Sequence, residues 1–152
     1  MRESLHFCHQ VFIGSRAMTF SFQEFMAPLF EAVDLKPLEG CVLAEIGQNE
    51  GMSIGELGVA TCIRATNLTP IVHSLEEKGL VTRKRDIDDA RSWRIHPSSE
   101  GRKLLDRLDA LIAQRISKKG SDASELIAKV LDGFKAFEVL MKDSGVEMGG
   151  VR

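Results

Sequence analysis

No stretch of this sequence approaches the roughly 18 consecutive apolar residues that a membrane-spanning helix requires, so we expect no membrane partner. Cysteine is scarce: Cys8, Cys41 and Cys62 are an odd number and lack the spacing of a disulfide framework. Polar residues such as His9 and Arg16 interrupt the apolar N-terminal stretch, which is unlike a secretory signal peptide. Together these absences indicate a protein of the reducing cytoplasm.

Sequence motifs of catalysis are absent as well. There is no glycine-rich phosphate loop, and there is no paired-carboxylate or nucleophile arrangement with a plausible base. His6, Cys8 and His9 offer two imidazoles and a thiol, but no fourth ligand for a tetrahedral metal. We therefore expect neither an enzyme nor a protein with a cofactor or a metal.

The charge of the chain is unevenly distributed. The 152 residues are 43% hydrophobic and 28% charged, which suits a globular domain with appendages, and the net charge is −2. Residues 1–61 carry three Lys and Arg against eight Asp and Glu, residues 62–103 carry nine against six, and residues 104–152 carry eight of each. The local positive excess indicates where a phosphate backbone would bind.

Two short helices are predicted after residue 35. Pro37 suits the first helical position, and residues 49–51 end this helix. Its expected buried stripe is Leu38, Val42, Leu43 and Ile46. Ser53 and Glu56 have the spacing of a capping box for the next helix, which ends near Thr61.

The following helix is predicted to start at Thr66 or Asn67. With Asn67 as the cap, Pro70 falls in the first turn, where its missing N–H costs little. The expected buried residues are Leu68, Ile71, Val72 and Leu75. Gly79 suits the positive φ of a helix C-terminus, and Leu80 is the hydrophobic contact that accompanies it.

Two short strands, Val81 to Arg85 and Trp93 to Pro97, flank a charged seven-residue loop, and the hairpin as a whole is basic. A helix pair with a tight turn, followed by such a hairpin, is typical of a winged helix-turn-helix. That element places one helix in a DNA major groove and a loop at the neighbouring minor groove. The predicted fold class is therefore mainly α with a small β-hairpin wing.

Apolar residues recur at helical spacing towards both ends of the chain. A first helix over about residues 5–33, with a weak point at Gly14-Ser15, carries Phe7, Val11, Met18, Phe22, Phe25, Met26, Leu29, Phe30 and Val33. A helix capped by Ser98 or Ser99 carries Leu104, Leu105, Leu108, Leu111, Ile112 and Ile116. After a break at residues 119–122, a last helix carries Leu126, Ile127, Val130, Leu131, Phe134, Phe137 and Met141.

These terminal helices either complete a monomeric core or interlock with those of a second chain. The homodimer is favoured because symmetric operators are read by dimers. The predicted regions are an N-terminal dimerisation helix over 1–34, a winged helix over 35–98 and C-terminal dimerisation helices over 99–152.

The candidate DNA contacts lie on the helix pair and on the hairpin. They are Ser53, Arg64, Thr66, Asn67, Thr69, Pro70, His73, Arg83, Lys84, Arg85, Asp89, Arg91 and Arg94. Hydroxyl and amide groups suit phosphates and base edges, and a helix N-terminus favours phosphate. The hairpin residues Arg83, Lys84, Arg85 and Arg94 are expected to neutralise phosphates rather than to read bases. A solvated surface and a winged helix that binds protein are the alternatives.

Four segments of the sequence carry a family resemblance. They are Leu35-Lys36-Pro37, Leu75-Glu76-Glu77-Lys78-Gly79-Leu80-Val81, Asp88-Asp89-Ala90-Arg91 and Ser98-Ser99-Glu100-Gly101-Arg102. In this order and at these distances they resemble the MarR family of bacterial transcriptional regulators over nearly the full chain. The resemblance implies an obligate triangular dimer, in which Asp89 braces the wing and Arg91 enters the minor groove.

A finer resemblance concerns Cys8. Its interval to Ser15-Arg16-Ala17-Met18-Thr19, together with Leu68-Thr69-Pro70, is similar to the organic-hydroperoxide-sensing branch of that family. The branch holds its reactive thiolate with tyrosine hydroxyls, whereas this chain has no tyrosine, and Phe12 and Phe22 stand at the matching places.

Cys8 is then either a redox sensor or a small buried hydrophobe. His6, His9 or the helix N-terminus would have to stabilise its thiolate. Cys41 and Cys62 fall on or beside the predicted buried stripes and are expected to be structural.

The sequence thus predicts a homodimeric repressor that binds a pseudo-palindromic double-stranded DNA operator. An effector near the junction of the dimer region and the winged helices would change the separation of the recognition helices and lower affinity. Peroxide oxidation of Cys8 and a small aromatic ligand in that cleft are the two effectors left open.

Overall fold

Six helices and one two-stranded sheet form the computed structural model, which describes residues 2–87 and 92–142. The helices are α1 (Arg2–Glu31), α2 (Pro37–Gln48), α3 (Ile54–Thr61), α4 (Ala65–Glu77), α5 (Ser99–Ser117) and α6 (Ala123–Lys142). The strands β1 (Val81–Arg85) and β2 (Trp93–Pro97) pair antiparallel, with Val81 opposite Pro97. This confirms the predicted fold class. Within the described ranges, no helix is long and apolar enough to cross a membrane.

The core is built around α2, which packs against α1, α3, α4, α5 and β2. Seven side chains at its centre are fully buried: Val42, Leu43, Ile46, Leu57, Leu68, Val72 and Leu75. The predicted burial of Leu38 is wrong, because its side chain is 55% exposed. The buried face of α2 passes instead through Glu39, the next residue, which is only 3% exposed.

The predicted helix ends of α3 and α5 are confirmed by their caps. The amide of Ser53 donates to Glu56 Oε2 at 2.7 Å, and the amide of Glu56 donates to Ser53 Oγ at 3.2 Å. Ser98 caps α5 by accepting from the amide of Gly101 at 3.0 Å. Gly79 has the predicted positive φ, 70°, between α4 and β1.

The predicted start of α4 at Thr66 or Asn67 is wrong, since Arg64 is the N-cap. A tight turn places the helix earlier than side-chain capping suggests: Cys62 has a left-handed φ of 54°, and the Ile63 amide donates to Gly58 O at 3.1 Å. Pro70 therefore lies in the second turn rather than the first. Because proline has no backbone N–H, the carbonyl four residues earlier receives no helical hydrogen bond from it.

Helix α1 runs without interruption through Gly14. The predicted apolar stripe of α6 and the part of the α1 stripe that precedes Phe25 are largely exposed in the single chain, whereas Met26, Leu29 and Phe30 of α1 are buried in the core. The side chains at least 40% exposed include Phe7, Met18, Phe22, Leu126, Ile127, Val130, Leu131, Phe134 and Phe137. A surface this apolar over two helices is typical of an interface with another chain.

Candidate nucleic-acid interface and neighbouring cavity

One face of α4 is polar and exposed. It carries Thr66, Asn67, Thr69, Pro70 and His73, all of which are exposed in the single chain. The opposite face carries the buried core residues, so packing holds the polar face outward. The Thr69 hydroxyl donates to Ala65 O at 2.8 Å, and His73 Nδ1 lies 3.4 Å from Glu77 Oε2. The predicted α4 residues thus share one accessible surface.

The turn before α4 fixes the angle between α3 and α4. A Cβ at Gly58 would lie 3.0 Å from Ile63 O, so a larger residue would press the two helices apart. Arg64 follows at the exposed start of α4, and Ser53 holds the start of α3. The turn residue Cys62 is exposed, which corrects its predicted position on or beside a buried stripe.

Basic side chains of β1 stand beside α4. Arg83 Nε lies 3.1 Å from Glu76 Oε2 of α4, and the Arg85 guanidinium lies 4.7 Å from the centre of the Trp93 ring. Lys84 is exposed between them. The charge therefore sits on the strand that directly follows α4.

Arg94 of β2 forms ion pairs with two carboxylates of the protein. It pairs with Asp86 through Nε, with Glu56 Oε2 at 2.7 Å and with the Gly51 carbonyl at 3.3 Å. The hydrogen bond to Asp86, assisted by Glu56, raises the pKa of Arg94. This side chain braces the hairpin against α3, a role its sequence position did not indicate, and its phosphate contact stays a prediction. Asp89 and Arg91 lie outside the described residues.

A buried carboxylate ties α4 to α2 and to the turn after α1. Glu39 accepts from the Lys36 amide at 2.8 Å, the Ser74 hydroxyl at 2.7 Å and the Lys78 ammonium at 2.9 Å. Lys78 also donates to Asp34 O at 2.7 Å. Burial alone would raise the pKa of Glu39, but these three donors lower it to about 2. Sequence reasoning missed this anchor, although a lone glutamate on a buried stripe was its signal.

A cavity of about 650 Å³ opens between α1, α2 and α5, at the junction of the terminal helices with the helix pair and hairpin. Its lining includes Phe22, Met26, Phe30, Cys41, Ala44, Gln48, Arg102, Leu105, Asp106, Asp109 and Ile112. Cys41 is exposed towards this space rather than buried in a stripe, and partial desolvation raises the pKa of its thiol. Arg102 pairs with Glu50 in a bidentate contact, with Nη2 and Oε2 2.8 Å apart.

Cys8 lies exposed in the first third of α1. Its neighbours in sequence, His6 and His9, are exposed too. Among the described residues, no three His, Cys, Asp or Glu side chains are grouped to hold a metal ion.

Known proteins have sequences and folds similar to those of this chain. A family model described as "MarR family" matches residues 35–93. The chain is 28% identical over 120 residues to the HTH-type transcriptional regulator SarZ of Staphylococcus saprophyticus, covering 79% of this chain and 80% of that protein. It is 25% identical over 122 residues to the organic hydroperoxide resistance transcriptional regulator of Bacillus subtilis, covering 78% and 80%.

Several similar solved structures contain DNA. The transcriptional repressor CouR, bound to a 23-mer DNA duplex, is 26% identical and superposes with a TM-score of 0.67 over 80% of this chain and 88% of CouR. The resemblance read from the sequence motifs is thus confirmed.

Proposed function

We propose that this chain is a member of the MarR family of transcriptional regulators and acts as a homodimeric repressor released from its operator by an effector. The observation that carries this proposal is the polar face of α4 beside a basic hairpin. In this proposal residues 35–98 bind DNA, and residues 1–34 and 99–152 form the dimer. The cytoplasm, where a repressor meets its operator, is the expected compartment.

The α4 face is the part that enters the major groove. Its N-terminal turns present Thr66, Asn67, Thr69 and His73, whose hydroxyl, amide and imidazole groups suit base edges and phosphates. Arg64 and Ser53 stand at helix N-termini, where partial positive charge favours phosphate. Pro70 contributes apolar surface beside them.

Two copies of this surface are needed to read a pseudo-palindrome. The exposed apolar faces of α1 and α6 are the surface that a second copy would cover, including a groove of about 520 Å³ bounded by Met18, Phe22, Leu131 and Phe134. Burying such a surface supplies the stabilisation for an isologous dimer. An effector in the α1–α2–α5 cavity then acts where the dimer part meets the DNA-binding part.

Replacing Arg91 with alanine should weaken operator binding by about 1–3 kcal/mol and relax the preference for A·T-rich minor-groove positions. Lys84→Ala should instead weaken binding to all sequences alike, because a phosphate contact carries no base information. The measurement is fluorescence anisotropy over a salt series, with duplexes from the chain's own upstream region and a scrambled duplex. Sedimentation of the same complexes should give two chains per duplex.

Lys129→Ala is the matched control, because it removes one positive charge from α6, where Lys129 pairs with Glu125. It should bind as the wild type does. Operator affinity unchanged by Arg91→Ala would refute the wing assignment. A wild-type protein that binds no duplex even at low salt would favour the protein-interaction alternative.

Oxidation of Cys8 is a second candidate for release, favoured by the exposed thiol and by the similarity to the organic hydroperoxide regulator. The thiolate would take the terminal oxygen of an organic hydroperoxide, leaving the alcohol and a cysteine sulfenic acid. We expect cumene hydroperoxide to release wild-type protein from DNA, reversibly with thiol. Cys8→Ser should bind DNA but ignore peroxide, whereas Cys62→Ser, which removes another exposed thiol, should respond normally. Peroxide-indifferent wild-type binding would exclude this route.

A further inference from the structure

Small residues on α2 shape the cavity between α1, α2 and α5. A Cβ at Gly40 would overlap the Phe30 ring of α1, and one at Gly47 would overlap a methyl group of Leu105 of α5. These two glycines let the flanking helices close on α2 at two points. Ala44 lies between these glycines in sequence and lines the cavity, and its small side chain leaves the cavity open.

The charges around the cavity are predominantly negative. Asp106 and Asp109 follow Arg102 on the same face of α5, and all three line the space. Among the described residues, neither aspartate has an ion-pair partner. Arg102 is held by both carboxylate oxygens of Glu50. Its charge is therefore balanced, and a bound molecule meets two uncompensated carboxylates.

The rest of the lining is apolar and aromatic. Phe22, Met26 and Phe30 come from α1, and Leu105 and Ile112 from α5. Aromatic faces attract cations through their quadrupoles, and ammonium recognition commonly joins such faces with carboxylates. Apolar walls with a few placed polar groups are typical of small-molecule sites.

We propose that this cavity binds a hydrophobic organic cation, a ring system carrying a protonated or quaternary amine, as the effector. The proposal rests on the proposed function, to which it adds the chemical class of the ligand. The ring packs among the α1 side chains, and the ammonium lies near Asp106 and Asp109. An organic anion would face both carboxylates, while the guanidinium that could receive it is already engaged by Glu50.

The position of the cavity links such a ligand to DNA binding. Its walls belong to α1 and α5 on one side and to α2 on the other. The N-terminal turn of α2 is joined to α4 through Glu39, Ser74 and Lys78. A ligand that separates α2 from α1 therefore shifts α4 relative to the dimer helices, and it binds more tightly to that state.

A matched set of three naphthalene compounds tests the ligand class without DNA. Naphthylmethylamine is a cation near neutral pH, naphthylmethanol is neutral, and naphthylacetate is an anion of similar size. Titration calorimetry should give at least about tenfold tighter binding of the cation than of the anion, because both carboxylates attract the ammonium group and repel the carboxylate of naphthylacetate. Asp106→Asn with Asp109→Asn should remove that preference at unchanged shape.

Two further variants separate charge from volume. Ala44→Leu should weaken the binding of all three compounds about equally, because the leucine side chain fills the cavity. If Ala44→Leu does not fold, the double asparagine variant still tests the proposal. Glu100→Gln, which neutralises an exposed α5 carboxylate paired with Lys103 outside the lining, should change nothing. Equal or tighter binding of the anion, or a cation preference that survives the asparagine substitutions, would overturn the proposal.

Fluorescence anisotropy of operator DNA distinguishes a failure of this proposal from a failure of the proposed function. The cation should release wild-type protein from DNA but not the asparagine variant. If the protein binds DNA but shows no preference for the cation, only the proposed ligand class is refuted. If the protein prefers the cation but binds no DNA, the repressor assignment is refuted instead.

Discussion

Gly101→Ala should destabilise the protein by about 3 kcal/mol or more, which is large for the addition of a single methyl group. A Cβ at Gly101 would overlap the carbonyl oxygen of Leu80 and lie 3.1 Å from its carbonyl carbon. Because the obstacle is backbone rather than the end of a flexible side chain, α5 or the start of β1 would have to move.

That movement would break the contacts that seat α5 on the hairpin. The Leu80 carbonyl accepts from the Ser98 amide at 2.9 Å, and the Ser98 hydroxyl donates to Gly79 O at 2.6 Å. The same hydroxyl caps α5 by accepting from the Gly101 amide. A methyl group at this point therefore strains the cap and the strand together.

Urea unfolding at fixed protein concentration measures this effect. Gly55→Ala is the matched control, because Gly55 lies exposed in the first turn of α3 and its Cβ would meet only Ser53 Oγ, at 3.9 Å. The control should stay within about 1 kcal/mol of the wild type. Equal unfolding midpoints for Gly101→Ala and the control would contradict the close approach of α5 to Leu80.

Features encoded by a few neighbouring residues could be predicted from the sequence. The Ser53–Glu56 capping box, the Ser98 cap and the positive φ of Gly79 all depend on residues within one turn. The α4 stripe also followed from periodicity, because Leu68, Val72 and Leu75 recur at helical spacing.

Features that depend on tertiary partners could not be predicted in this way. Asn67 is a good cap by residue type, yet the turn at Cys62 starts α4 earlier. Leu38 is apolar but lies on the exposed side of α2. The partners of Arg94 include Glu56, 38 residues away, and no local pattern pairs them. The exposed polar face of α4 was predictable because it is the complement of the buried stripe.

Glu39→Gln is the other substitution with a large expected effect. Burial by itself would raise the pKa of Glu39, but the Lys36 amide, the Ser74 hydroxyl and the Lys78 ammonium lower it from 4.5 to about 2. Because the folded pKa lies below the unfolded one, the carboxylate stabilises the fold above about pH 4.5. That contribution is lost as the pH falls towards 2.

The neutral amide removes this contribution at every pH. We expect a loss of about 3 kcal/mol near neutral pH, since the fall in pKa from 4.5 to about 2 corresponds to about 1.4 kcal/mol for each pKa unit. The acid branch of the unfolding profile should flatten between about pH 4.5 and 2. Glu100→Gln, at an exposed ion pair with Lys103, should leave both quantities nearly unchanged.

Operator binding adds a readout that stability alone does not supply. The Glu39 anchor joins α4 to α2 and, through Lys78, to the carbonyl of Asp34 in the turn after α1. A folded Glu39→Gln protein, assayed at a temperature well below its midpoint, should therefore bind operator more weakly than Glu100→Gln does. If it matches the control in affinity as well as in its acid profile, Glu39 neither stabilises the fold nor positions α4.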